Sequence, residues 1–167
     1  VLGDYAVSAT PYSGDALGGS TGIPLTVNFK LIDSDPGPVL SVTSFTLIDA
    51  ETDQELFTIT EGMRIDIATL PTLRLDIRAN TTDDVESVRI SLSGALTTER
   101  TETLLPYALY RDLPIGDYIG NDFVLGAYAV SATPYSQDVL GGTVGTTLAV
   151  NFELVGTGAN LKQDNAM

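Results

Sequence analysis

The chain has 167 residues, 22 acidic against 8 basic, a formal charge of −14, and neither cysteine nor histidine. That balance repels phosphate backbones and anionic lipid, so nucleic acid and membrane insertion are not expected, and cations and basic protein patches are the favoured partners. Disulfides, thiolate or imidazole metal sites and a histidine-based triad are excluded. No apolar run reaches the roughly 18–20 residues of a membrane-spanning helix.

A hydrophobic content of 43% and a mean hydropathy of +0.16 predict a folded chain. No basic segment precedes an apolar stretch as in a signal peptide, so any export signal is expected to have been removed. From the N-terminus, Tyr5, Val7 and Ala9 alternate with Ala6, Ser8 and Thr10, the period of a strand. Pro11 is expected to end it, and SGDALGGSTG is turn chemistry throughout. Ile23, Leu25, Val27, Phe29 and Leu31 then form one apolar face, opposite Thr26, Asn28 and Lys30. A hairpin with one apolar face is barely stable in water, so these five side chains are the candidate self-association residues. Lys30 is read as a solvated strand lysine rather than a partner in an isopeptide bond.

IDSDPGPVL reads as a rigid linker. SVTSFTLIDA is a strand carrying Val42, Phe45 and Leu47 with a bulge. ETDQ is a turn, and ELFTIT and MRIDI are strands split by Glu61 and Gly62. After TLPT, Leu73, Leu75 and Ile77 alternate with Arg74, Asp76 and Arg78, the cleanest strand pattern in the chain. NTTDD is a loop, and ESVRISLSG alternates Val88, Ile90 and Leu92 with Arg89, Ser91 and Ser93. TTERTETLL and YALY lead into RDLPIGDYIGNDF, a loop rich in Gly and Asp. Then the opening returns. Aligned at an offset of 123, residues 1–32 and 124–155 are identical at 22 of 32 positions, including YAVSATPYS at 5–13 and 128–136. The last residues, 156–167, read as a polar tail or linker. Short strands with turn signals between them predict an all-β, antiparallel β-sandwich over 33–155. Residues 1–32 form an extra N-terminal hairpin equivalent to the end of a preceding repeat.

The motifs TLIDAETDQEL, IDIATLPTLRLDIRANT, VESVRISLSG, TERTETLLPYAL and GAYAVSATPYS resemble a tandem β-sandwich module of bacterial extracellular adhesion-type proteins, found beside malectin and cadherin-like domains. The resemblance implies an immunoglobulin-like sandwich, a secreted or cell-surface location and an adhesive or scaffolding role; it does not imply catalysis, and with no catalytic signature in the sequence an enzyme is not expected. Assembly of the chain with itself, head to tail by strand exchange through residues 1–32 into a fibre or array, is the expected partnership. The alternative is a carbohydrate-binding accessory module for a cell-surface glycan. In that reading Tyr107, Tyr110 and Tyr118 are the candidate stacking rings, although the tryptophan of the family pattern is missing from RDLPIGDYIGNDF. No cofactor is expected. Calcium is the candidate cation, with Asp112, Asp117 and Asp122 as its ligands, against the plainer reading of a loop whose aspartates make Asx turns.

Overall fold

The computed structural model describes residues 1–33 and 39–156; the IDSDPGPVL linker and the polar tail fall largely outside these. The chain divides into two compact units, Val1–Gly37 and Pro38–Met167. The first is a hairpin of β1 (Gly3–Ala9) and β2 (Leu25–Leu31), paired antiparallel from Gly3 opposite Leu31 to Ala9 opposite Leu25.

The second unit is a β-sandwich, as the sequence predicts. One sheet contains β3 (Val42–Asp49), β4 (Gln54–Ile59), β6 (Arg74–Thr81), β9 (Tyr107–Ala108) and β10 (Asn121–Asp122). The other contains β5 (Met63–Asp66), β7 (Ser87–Gly94), β8 (Thr98–Glu102), β11 (Gly126–Gln137), β12 (Gly141–Val144) and β13 (Leu148–Val155). The strand order is β10-β6-β3-β4 in the first sheet, with β9 also on β6. It is β5-β13-β11-β7-β8 in the second, with β12 on β11. Phe45, Leu47, Leu75 and Ile77 from the first sheet meet Val88, Ile90, Leu92, Tyr128, Val130, Phe152 and Leu154 from the second in one buried core. Alternation along each strand puts one row inward and the other outward, which is how sequences of this period make two facing sheets. The expected bulge in β3 is present as register shifts beside Leu47 and between Val42 and Ser44.

Two features of the pairing depend on strands distant in the chain. The sheets are not antiparallel throughout: the chain leaves β4 at one edge, turns at Gly62 (φ +71°) and enters β5, which runs parallel to β13 in the opposite sheet. And Pro11 and Pro134, in identical surroundings of sequence, differ in role. The first strand of the hairpin stops at Ala9, whereas β11 runs through Pro134 to Gln137. There β7 supplies partners, Thr133 opposite Arg89 and Tyr135 opposite Ser87. A neighbouring strand carries pairing past a residue without an N–H.

Candidate self-association surface

The register of β11 with β13 runs from Gly126 opposite Leu154 to Ala132 opposite Leu148. This is the register of β1 with β2 shifted by 123 residues. The likeness extends to local detail. Tyr128 stacks on Phe152 with ring centroids 5.1 Å apart and Tyr5 on Phe29 at 5.6 Å. The Tyr128 hydroxyl donates to the Val124 carbonyl, and the Tyr5 hydroxyl to that of Val1. Ser136 Oγ accepts from Thr143 N at 2.8 Å, and Ser13 Oγ from Ser20 N at 2.7 Å. The loop tips share left-handed backbone at Ala16 and Leu17 (φ +50° and +64°) and at Val139 and Leu140 (φ +54° and +62°). Residues 1–32 therefore make the last hairpin of the sandwich a second time.

What differs is cover. Seven residues of the second copy are buried: Tyr128, Val130, Ala132, Pro134, Val150, Phe152 and Leu154. All seven have the same residue in the first copy: Tyr5, Val7, Ala9, Pro11, Val27, Phe29 and Leu31. The ten positions at which the copies differ are exposed or half-buried in the second. Yet Val7 is 60% exposed against 0% for Val130, and Phe29 is 44% exposed against 3% for Phe152. The first hairpin thus carries a complete set of core side chains, all of them exposed. Leu25, Val27, Phe29 and Leu31 belong to this face as expected. Ile23 does not: it occupies the place of Thr146, an exposed residue before β13 begins. Tyr5, Val7, Ala9 and Pro11 complete the face, and the identity of alternate residues between the copies is the signal that finds them.

The groove that houses the second copy defines what such a hairpin needs. On one side β7 pairs along β11, and Ser87, fully buried, donates to the Gln137 carbonyl at 2.6 Å and accepts from Leu140 N at 3.0 Å. On the other side, β5 and the turn before it clasp β13. The Glu61 carboxylate accepts from Asn151 N at 2.8 Å and from its side-chain amide at 3.0 Å, and Gly62 N donates to the Asn151 carbonyl. The two hydrogen bonds to the carboxylate hold the Glu61 carboxyl below its ordinary range. Asn28, in the first hairpin, stands where Asn151 does. Beside this clasp Arg64 pairs with Glu153 at 2.7 Å on an exposed surface. At the far end Thr146 N donates to the Leu40 carbonyl, and Gly145 lies so close to Leu40 that a Cβ would stand 2.2 Å from its oxygen.

The other candidate residues are spread through the sandwich. Tyr107 and Tyr118 are buried and Tyr110 is half-buried, so the expected stacking platform is not on the surface. Tyr107 donates to the Val85 carbonyl at 2.6 Å, Tyr110 packs edge-on against Phe123, and Tyr118 covers Ile48 and Ala108 on the outer face of β3 and β9. Burial pushes all three phenols up. All three are packing residues: Tyr107 and Tyr110 serve the main core between the sheets, and Tyr118, from the loop after β9, makes a small core of its own with Ile48 and Ala108. Asp112 caps Gly116 N at 3.0 Å, the Asp117 carbonyl accepts from Leu113 N, and Asp122 lies in β10 opposite Arg74. The three are not brought together, and among the described residues no group of three carboxylates could hold a metal ion. In that loop Asp112 accepts from the N–H four residues on; carboxylates that accept from the N–H two residues on are found elsewhere, at Asp49 and Asp66. Asn80 gives its amide to Ser44 and Thr46 rather than to solvent.

No protein-family model, curated protein or solved structure matches the chain.

Proposed function

We propose that this chain is a non-catalytic structural or adhesive β-sandwich unit of an extracellular array, joined to its neighbour through the hairpin of residues 1–32. The observation that carries this reading is the pair of copies: the same seven residues are core in one and bare in the other. Burying an aliphatic or aromatic side chain is worth roughly 1.5–3 kcal/mol, and a two-stranded hairpin alone is marginal. A set of such residues on one face marks a contact surface. The groove it matches is known in shape, since the sandwich already houses a hairpin with the same seven core residues. Docking of strands and main chain into another unit's sheet is β-augmentation with side-chain pockets for specificity. A head-to-tail contact of this kind propagates unless its rotation closes a ring.

Light scattering on the 167-residue chain and on a chain beginning at Asp33 tests the reading. The longer chain associates with rising concentration and the shorter one stays monomeric. Equal size and equal stability of the two would overturn it.

A further inference from the structure

Among the described residues each copy of this chain carries two hairpins of the same design but only one groove, that between β7 and β5. In any assembly made of this chain alone, exchanging hairpins between copies leaves as many bare as before. Exchange among identical copies therefore gains no burial: copies can only lay bare faces against one another, and full cover of residues 1–32 in a groove needs a partner whose groove is vacant.

The ten substitutions between the hairpins say how that groove differs from the one here. Most are changes of bulk or polarity at exposed positions. One reverses a charge on a paired position: Lys30 stands where Glu153 stands. Glu153 faces Arg64 across the parallel pair and bonds to it at 2.7 Å. Docked in a copy of this groove, Lys30 would face Arg64, cation against cation. On its other side Lys30 has Asp4, which replaces Ala127, so the outer row of the hairpin is rewritten from Ala–Glu to Asp–Lys. Asn28, by contrast, is unchanged, and with it the donors that the Glu61 carboxylate takes up.

We propose that residues 1–32 dock into a distinct sandwich built like residues 39–123, lacking a last hairpin of its own, that keeps a carboxylate for Asn28 as at Glu61 and carries a second carboxylate in the place of Arg64. The inference rests on the proposed function and adds the identity of the partner. Opposite charges paired across strands favour a register and like charges disfavour it, so position 64 acts as a selector between the two hairpins.

The chain has no native cysteine, which allows hairpin and groove to be trapped directly. Val155 pairs with Asp66, and Ile32 is its counterpart in the first copy. Ile32→Cys combined with Asp66→Cys therefore reports occupancy of the groove by the first hairpin. The probe is the full chain itself carrying both cysteines, with no further change, with Arg64→Glu, with Lys30→Glu, and with both together, oxidised mildly and resolved without reductant. The expected result is that Arg64→Glu, and separately Lys30→Glu, raise the yield of the engineered disulfide between positions 32 and 66 roughly threefold to tenfold. The double reversal matches Lys30→Glu alone, because both hairpins then present a carboxylate at that position, and molar salt erases the differences. Lys30→Glu leaves the groove untouched, so it remains informative if Arg64→Glu unfolds the sandwich. Trapping that occurs equally in all four chains overturns the selector while leaving the docking of the hairpin intact. No trapping with Arg64→Glu, where the groove repels Glu153 and attracts Lys30, in a chain shown folded by circular dichroism, overturns the docking itself.

Discussion

Asp76 shows what a single buried charge does to this fold. Its carboxylate is fully buried behind β6 and accepts from Ile77 N at 2.7 Å and Tyr110 N at 3.0 Å. Desolvation pushes its carboxyl up to about 7, against the opposing pull of the Tyr110, Ile77 and Leu109 N–H groups and with a smaller push from Asp112. The folded state therefore prefers the protonated acid. Its contribution is complete below the unfolded value near 3.8 and is lost as pH rises through about 7. We expect unfolding free energy from this group to fall by on the order of 4 kcal/mol between about pH 4 and 8. Urea titrations across that range measure it, and Asp76→Asn flattens the profile. A wild-type profile without that fall would remove the account. Gly94 is a second sensitive residue: at φ +112°, an added Cβ would meet the Ala127 carbonyl at 2.1 Å. Gly94→Ala should cost roughly 2–4 kcal/mol by the same titration. Neither residue was legible from its neighbours. Alternation groups Asp76 with Arg74 and Arg78 as an outward residue, and the chain leaving β9, whose Tyr110 N–H donates to the carboxylate, makes it a buried acceptor.

At the level of elements, alternation located most strands because each has one wet and one dry face, as along Leu75, Ile77 and Ala79 or Val88, Ile90 and Leu92. It missed what depends on partners distant in the chain: the parallel docking of β5, the continuation of β11 past Pro134, and the covering of Tyr107 and Tyr118. Of the candidate surface, half was readable. The β2 face follows from periodicity, and Ile23 falls outside it because pairing begins only at Leu25, as it begins at Leu148 in the second copy. The β1 face needs the comparison between copies. That comparison also sets an experiment that no single hairpin would allow. Phe152→Ala removes a buried ring and should lower the stability of the sandwich by about 3–5 kcal/mol. Phe29→Ala removes the same ring from the uncovered copy and should leave that denaturation midpoint unchanged while abolishing the association seen by light scattering. A large loss of sandwich stability with Phe29→Ala would mean that the first hairpin is already covered by the chain's own core.

For the whole molecule, the decisive quantities are the two hairpins per groove and the charge of −14. The first says that copies of this chain can gain burial from one another only where bare hairpin faces meet, not by exchange. The second says that such copies repel over distances set by the Debye length, about 10 Å at 0.1 M salt and about 30 Å at 0.01 M. The apolar contact is short-ranged and insensitive to screening, whereas the repulsion is screened, so the two separate with ionic strength. Association of the full chain should therefore strengthen as salt rises from about 0.01 to 0.5 M, and sedimentation velocity at fixed protein concentration measures this. With a partner that presents a carboxylate to Lys30, the pair at that position adds an opposite trend, and the Lys30→Glu chain should lose it. Self-association that weakens with salt would place the contact on ion pairs elsewhere on the acidic surface rather than on the face of Tyr5, Val7, Val27, Phe29 and Leu31.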